Sequence, residues 1–121
     1  MNVIYKSLKS PIYLQVAEKI RDEIFCGVYR PGTRLPSIRR ISKEIGVNPN
    51  TIQRAIKVLR WENLIEKHST QGNFVISDLS LLSKVRQDIV KFTLNEFIHA
   101  MHQIEYSNDM VCDLIDNWRS G

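Results

Sequence analysis

Apolar residues recur every three or four positions along most of this chain, and the interruptions are rich in Gly, Pro, Ser and Asn. The first such run is PIYLQVAEKIRDEIFCGVY, from Pro11. Ile12, Val16, Ile20 and Ile24 stand four apart with Tyr13 and Ala17 beside them, which predicts a helix with one apolar stripe. Ser10 is placed to cap it, Pro11 suits the first helical position, and Gly27 stands where a left-handed terminator belongs. Pro31-Gly32 marks a turn. A shorter helix follows Ser37, its predicted N-cap. Ile38, Ile41 and Ile45 face inward, Arg39, Arg40, Lys43 and Glu44 point elsewhere, and Gly46 closes it. A third helix begins near Asn48 and runs to about Asn63, with Ile52, Ala55, Ile56 and Leu59 as its stripe. Two helices joined by a short Gly-containing turn form a helix-turn-helix pattern.

In LIEKHSTQGNFVIS the period changes. Leu64–Lys67 and Phe74–Ser77 can pair as strands around the turn-rich Ser69–Asn73, which predicts a small hairpin. From Leu79 the chain loses its Gly and Pro and reads as one long helix. Val90, Leu94, Phe97, Met101 and Ile104 step by 4, 3, 4 and 3, and Leu82, Val85, Ile89 and Phe92 form a second stripe. A last helix follows Ser107-Asn108-Asp109, with Met110, Val111, Leu114, Ile115 and Trp118 apolar. The expected architecture is mainly α with a small β-hairpin: a winged helix-turn-helix over residues 1–78, then two dimerisation helices over 79–121. Two helices this rich in large apolar groups cannot bury them on each other, so a second copy of the chain is the simplest partner. The dimerisation residues expected are Val90, Leu94, Phe97, Met101, Ile104, Leu114 and Trp118.

Composition narrows the class without naming it. An apolar fraction of 43% and a charged fraction of 25% are ordinary for a globular domain. No apolar run approaches the ~18 residues of a membrane span. MNVIYKSLKS has no apolar core or cleavage site, so no signal peptide is read and the expected compartment is the cytoplasm. Cys26 and Cys112 lie far apart within apolar helical patterns and read as two buried small hydrophobes. Charge distribution says more. Residues 1–78 hold 13 Lys/Arg against 7 Asp/Glu, a net of +6, while residues 79–121 hold 4 against 6, a net of −2. Within residues 30–60, eight basic side chains face the single acid Glu44. That excess fits either a solvated basic face or a polyanion partner, and the motifs decide between them.

The stretch GVNPNTIQRAI supplies the chemistry. Asn48 is a good N-cap and Pro49 fits the first turn, where its missing N–H costs nothing. Asn50, Thr51, Gln53 and Arg54 then project from the first two turns, away from the apolar stripe. Asn and Gln pair with adenine, Arg with guanine, and Thr reaches a phosphate or a thymine methyl. A capping role alone would explain the Asn-Pro pair but not the Gln-Arg that follows. Arg34, Ser37, Arg39 and Arg40 crowd the start of the preceding helix, whose free N–H groups suit a phosphate. Gly72, at the hairpin tip, permits a close backbone approach to DNA or is simply a turn glycine.

Taken in order, PIYLQVAEKIRDEI, the block from Gly27 to Arg39 containing PGTRLPSIR, GVNPNTIQRAIKVL and QGNFV resemble the DNA-binding domain of the GntR family of bacterial transcription regulators, over about residues 11–77. The resemblance implies a winged helix-turn-helix that binds palindromic operators as a dimer. It makes Arg39 the DNA-contacting arginine of the L-P-S-x-R block. Asn48, Asn50, Thr51 and Gln53 fall at recognition-helix contact positions, with Arg54 adjacent and Gly72 at the wing tip. Two positions depart from the family pattern. The wing reads His68-Ser69-Thr70-Gln71 where basic residues are common, and Ile38 stands where Glu is common. The short C-terminal part leaves no room for a closed ligand pocket and is similar to the YtrA-type subfamily, in which repression of a target promoter is expected.

Other classes fit less well. No glycine-rich phosphate loop, Cys-x-x-Cys or Ser-His-Asp arrangement points to an enzyme, and no cofactor is expected. His99 and His102 could share a metal with Glu96 or Asp88, but two solvent-facing histidines is the expected outcome. A protein-interaction adaptor, whose C-terminal helices bind a foreign partner, remains the alternative to a regulator of double-stranded operator DNA. A small-molecule effector, if there is one, would sit between the C-terminal helices or near Ser77–Ser83.

Overall fold

The computed structural model describes residues 10–121, so the reading of MNVIYKSLK falls outside the described residues. Helix α1 spans Ile12–Phe25 and buries Val16, Ala17, Ile20 and Ile24. Ile12 remains largely exposed, so the buried stripe starts one turn later than its spacing predicts. Pro11 occupies the N-cap itself, with no side-chain cap bond, and Gln15 Nε2 donates to the Ser10 carbonyl at 2.8 Å. At the other end Gly27 has φ +89°, and Val28 N–H donates back to the Glu23 carbonyl at 2.8 Å, closing the helix with a left-handed cap.

Helix α2, Ile38–Ile45, starts as predicted: Ser37 Oγ accepts from Arg40 N–H at 3.1 Å. Ile41 is fully buried, and Ile38 and Ile45 pack partly against the same core. Gly46, at φ +78°, ends the helix and allows the chain to enter α3, Pro49–Trp61, after only Val47 and Asn48. The whole α3 stripe of Ile52, Ala55, Ile56 and Leu59 is buried. A bidentate pair from Arg21 to Glu62, at 2.7 and 2.9 Å, ties α1 to the end of α3.

Strands β1, Ile65–His68, and β2, Gly72–Val75, pair antiparallel with Ile65 opposite Val75 and His68 opposite Gly72. The turn is tighter than the predicted Ser69–Asn73. Ser69 and Gly72 take positive φ, so Gly72 and Asn73 join the ladder. Sequence patterning missed a third partner. Arg34 bridges Phe74 on the open edge of β2, with Leu35 N–H donating to Asn73 O and Val75 N–H to Thr33 O, both at 2.9 Å. The segment before α2 therefore runs along the open edge of the two-stranded wing and anchors it to the helix-turn-helix.

Helix α4 spans Leu79–Gln103, with Asp78 Oδ1 accepting from Leu81 N–H at 3.1 Å. The expected domain boundary lies just before this helix, at residue 78. The chain nevertheless divides into compact units at Val85/Arg86, because Leu82 is buried in the N-terminal core and Val85 packs against it. In the second unit, α4 gives way through a turn with Glu105 at φ +61° to α5, Asn108–Ser120, capped by Ser107 Oγ. Val111 is the only fully buried side chain among Arg86–Gly121. Both cysteines are exposed, which corrects the expectation that they are buried. Cys26 is the C-cap of α1, two positions past Ile24, the last buried residue of that helix, and Cys112 stands one position past Val111, a step that turns it off the inner face. Among the described residues no helix is long and apolar enough to cross a membrane.

Candidate nucleic-acid interface

Burying four residues on one side of α3 determines what the other side presents. Asn50, Gln53, Arg54 and Lys57 follow i, i+3, i+4 and i+7 spacing and are all exposed, forming one polar face opposite Ile52, Ala55, Ile56 and Leu59. Thr51 lies at its margin, half-buried. Lys57 extends this face one turn beyond the expected residues, and its spacing of seven from Asn50 is the signal in the sequence. Asn48 Oδ1 accepts from Asn50 N–H at 2.8 Å, so this side chain caps the helix, and Pro49 follows at the first helical position.

The four residues expected to crowd the start of α2 separate in the structure. Ser37 Oγ is engaged in the cap, while Arg39 and Arg40 are exposed on the first turn. Arg40 Nε meets Glu44 Oε1 at 3.0 Å, an exposed i, i+4 pair worth a few tenths of a kcal/mol. Arg34 belongs instead to the wing. A Cβ placed on Gly72 would lie 3.3 Å from Arg34 Nε and 3.6 Å from Nη2, so the guanidinium runs alongside the glycine. Gly72 is required both for its φ of +106° and for this approach. The wing, whose tip Ser69-Thr70-Gln71 has no cation, thus receives one from the segment before α2. His68 is held on the sheet, stacked on Phe74 at 4.3 Å with Glu66 Oε2 3.0 Å from its Nε2.

A second unanticipated contact joins α1 to α3. The Arg54 guanidinium carbon lies 4.0 Å from the centroid of the Tyr13 ring. Away from this face, a shallow depression between α1 and α2 is lined by Lys19, Glu23, Tyr29, Ile41 and Glu44. Burial raises the Tyr29 phenol above its usual pKa, and the Glu23 and Glu44 carboxylates add to the rise, so the phenol stays neutral there.

The second unit presents a different surface. Val90, Leu94, Ile104 and Trp118 are 60%, 54%, 70% and 81% exposed, Leu114 and Phe97 less so, and Met101 is half-buried. The histidines of α4 face solvent, His99 beside Gln103 at 3.1 Å and His102 beside Asn108 Oδ1 at 2.7 Å. Among the described residues no group of three or more His, Cys, Asp or Glu is arranged to hold a metal ion.

A buried apolar stripe under a polar helix face, a short turn from a capped helix, and a two-stranded wing bridged at Arg34 define a winged helix-turn-helix of the DNA-binding class. Residues 12–75 match the family described as "Bacterial regulatory proteins, gntR family", and the chain belongs to it. It is 30% identical to the HTH-type transcriptional repressor YtrA of Bacillus subtilis (strain 168) over 94 residues, 77% of this chain and 72% of that one. A GntR family transcriptional regulator from Listeria monocytogenes superposes with a TM-score of 0.81 at 28% identity, covering 90% of this chain and 96% of that one. The DNA-binding domain of AraR, solved in complex with the operator ORX1, gives a TM-score of 0.54 at 31% identity over 56% of this chain and 82% of that one. The match to the Listeria regulator extends well beyond the winged domain into the C-terminal helices. The chain is a DNA-binding transcription regulator of the GntR family, with YtrA among its relatives.

Proposed function

We propose that the protein is a repressor that binds a two-fold-symmetric operator as a homodimer. The observation that carries this reading is the α3 face of Asn50, Gln53, Arg54 and Lys57. It combines amide groups that pair with adenine, a guanidinium that pairs with guanine and an ammonium for phosphate. Thr51 flanks this face, and Asn48 holds the helix start that enters the groove. Arg39, with Arg40 and the α2 N-terminus at Ser37, contacts the phosphate backbone, and Arg34 with Gly72 brings the wing to the flanking groove.

Dimerisation follows from unit two. A surface bearing Val90, Leu94, Ile104, Leu114 and Trp118 at high exposure is unstable against water unless covered. A second copy covers it with the same residues, Phe97 and Met101 included, and sets two recognition helices about one DNA turn apart, ~34–36 Å. Repression is supported by the similarity to a regulator named as a repressor. The protein bound at its operator then competes with polymerase for the promoter.

The test is selection of genomic fragments by the purified chain, with its mass measured by analytical ultracentrifugation. A consensus with two-fold symmetry and a chain that sediments as a dimer are expected. A monomer that associates only with a foreign helical protein would instead favour the adaptor reading. An asymmetric consensus would remove the dimeric geometry.

A further inference from the structure

We propose that Tyr13 is a positioning residue for Arg54: its ring fixes the guanidinium on the recognition face before DNA arrives. The inference rests on the reading of α3 as the helix that meets DNA. The two residues are 41 positions apart in sequence, yet the guanidinium carbon stands 4.0 Å over the ring centroid. A ring holds an arginine differently from a carboxylate. Arg21 and Arg40 are each paired with a glutamate, which neutralises their charge and occupies N–H donors. For Arg54 no carboxylate partner occurs among the described residues. A contact with a ring face leaves the guanidinium its charge, and the N–H donors turned away from the ring, available to a guanine or a phosphate.

The benefit is conformational. A free arginine side chain has many rotamers, and ordering it on binding opposes association. Tyr13, half-buried in the first turn of α1, removes part of that loss in advance. It also lies outside the buried core cluster, so its packing does not carry the stability of the domain. Its hydroxyl has no part in the contact. The ring alone should suffice.

The experiment compares the full chain and its Tyr13→Phe, Tyr13→Leu, Arg54→Ala and Tyr13→Leu/Arg54→Ala variants on two duplexes. One carries the site selected by the wild-type chain from genomic fragments, the other a scrambled sequence of equal length. Unfolding midpoints are recorded in parallel. Tyr13→Leu should weaken the selected site about three- to ten-fold, the size expected for losing a cation–π contact and its pre-ordering. Tyr13→Phe should bind like the wild type. The double variant should bind no more weakly than Arg54→Ala, because the ring acts only through the guanidinium. Additive losses, or a loss for Tyr13→Phe equal to that for Tyr13→Leu, would overturn the proposal. Weakening by Arg54→Ala with none by Tyr13→Leu defeats the positioning role alone. Wild-type binding by Arg54→Ala defeats both that role and the contact of Arg54 with DNA.

Discussion

The two compact units treat their apolar residues in opposite ways. Up to Val85, the chain places Ile20, Ile52, Leu59, Leu64 and Val75 where almost none of their surface meets solvent. From Arg86 onward the side chains are as apolar, but only Val111 is fully buried, and large residues from Val90 to Ile104 and from Met110 to Trp118 stand in water. The first unit satisfies its own hydrophobic requirement; the second supplies surface that needs covering. Helical periodicity looks the same in both, so period alone does not say whether a stripe faces the chain's own core or another chain. Number of neighbours does. The first unit has three helices, the start of α4 and a two-stranded wing around one core, and the second has only helix on helix.

The largest effect should come from opening the first core. Leu59→Ala is expected to cost about 2–5 kcal/mol in urea or thermal unfolding, the range for truncating a fully buried leucine. A loss below 1 kcal/mol would mean the core is looser than its burial implies. Next is the surface of the second unit. Leu94→Ser with Trp118→Ser should raise the dimer dissociation constant about 100-fold or more, the scale of an interface hot spot, while leaving the unfolding of the N-terminal unit nearly unchanged. Unaltered sedimentation of that variant would show that this face is not where two copies meet.

Smaller effects separate contacts within the DNA face. Gln53→Ala should reduce operator discrimination by about 1–3 kcal/mol with little change on random DNA. Arg39→Ala should weaken both and lower the slope of log affinity against log salt by about 1. Equal losses on operator and random DNA for both variants would remove the base-reading role of Gln53. The smallest expected change is in stability. Asn48→Ala removes the α3 cap and should cost about 1 kcal/mol, read as a shifted unfolding midpoint, with any effect on the second unit arguing that the two regions are not independent.

Most of the helices were legible because their signals are local. The Ser37 and Asn48 caps, the αL glycines Gly27 and Gly46, and the isoleucine stripes of α2 and α3 all act within one or two turns, and each lies where the residues predict. The candidate site was legible to the same extent: exposure of Asn50, Gln53 and Arg54 follows from burial of Ile52, Ala55 and Ile56 on the same helix. Misreadings arose where position relative to a packed face mattered. Cys26 and Cys112 sit inside apolar patterns but two positions past buried Ile24 and one past buried Val111, and both are exposed.

Local order along the chain therefore determined the elements, their ends and the polar face of the recognition helix, since hydrogen-bonded turns and side-chain period involve residues at most four apart. Tertiary packing decided which distant groups meet. It moved Arg34 from the start of α2 to the wing beside Gly72, set Arg54 on the Tyr13 ring, and buried Leu82 while leaving Leu94 in water. Those contacts join residues about 40 apart or depend on how many elements surround a helix, and no period in the sequence encodes either.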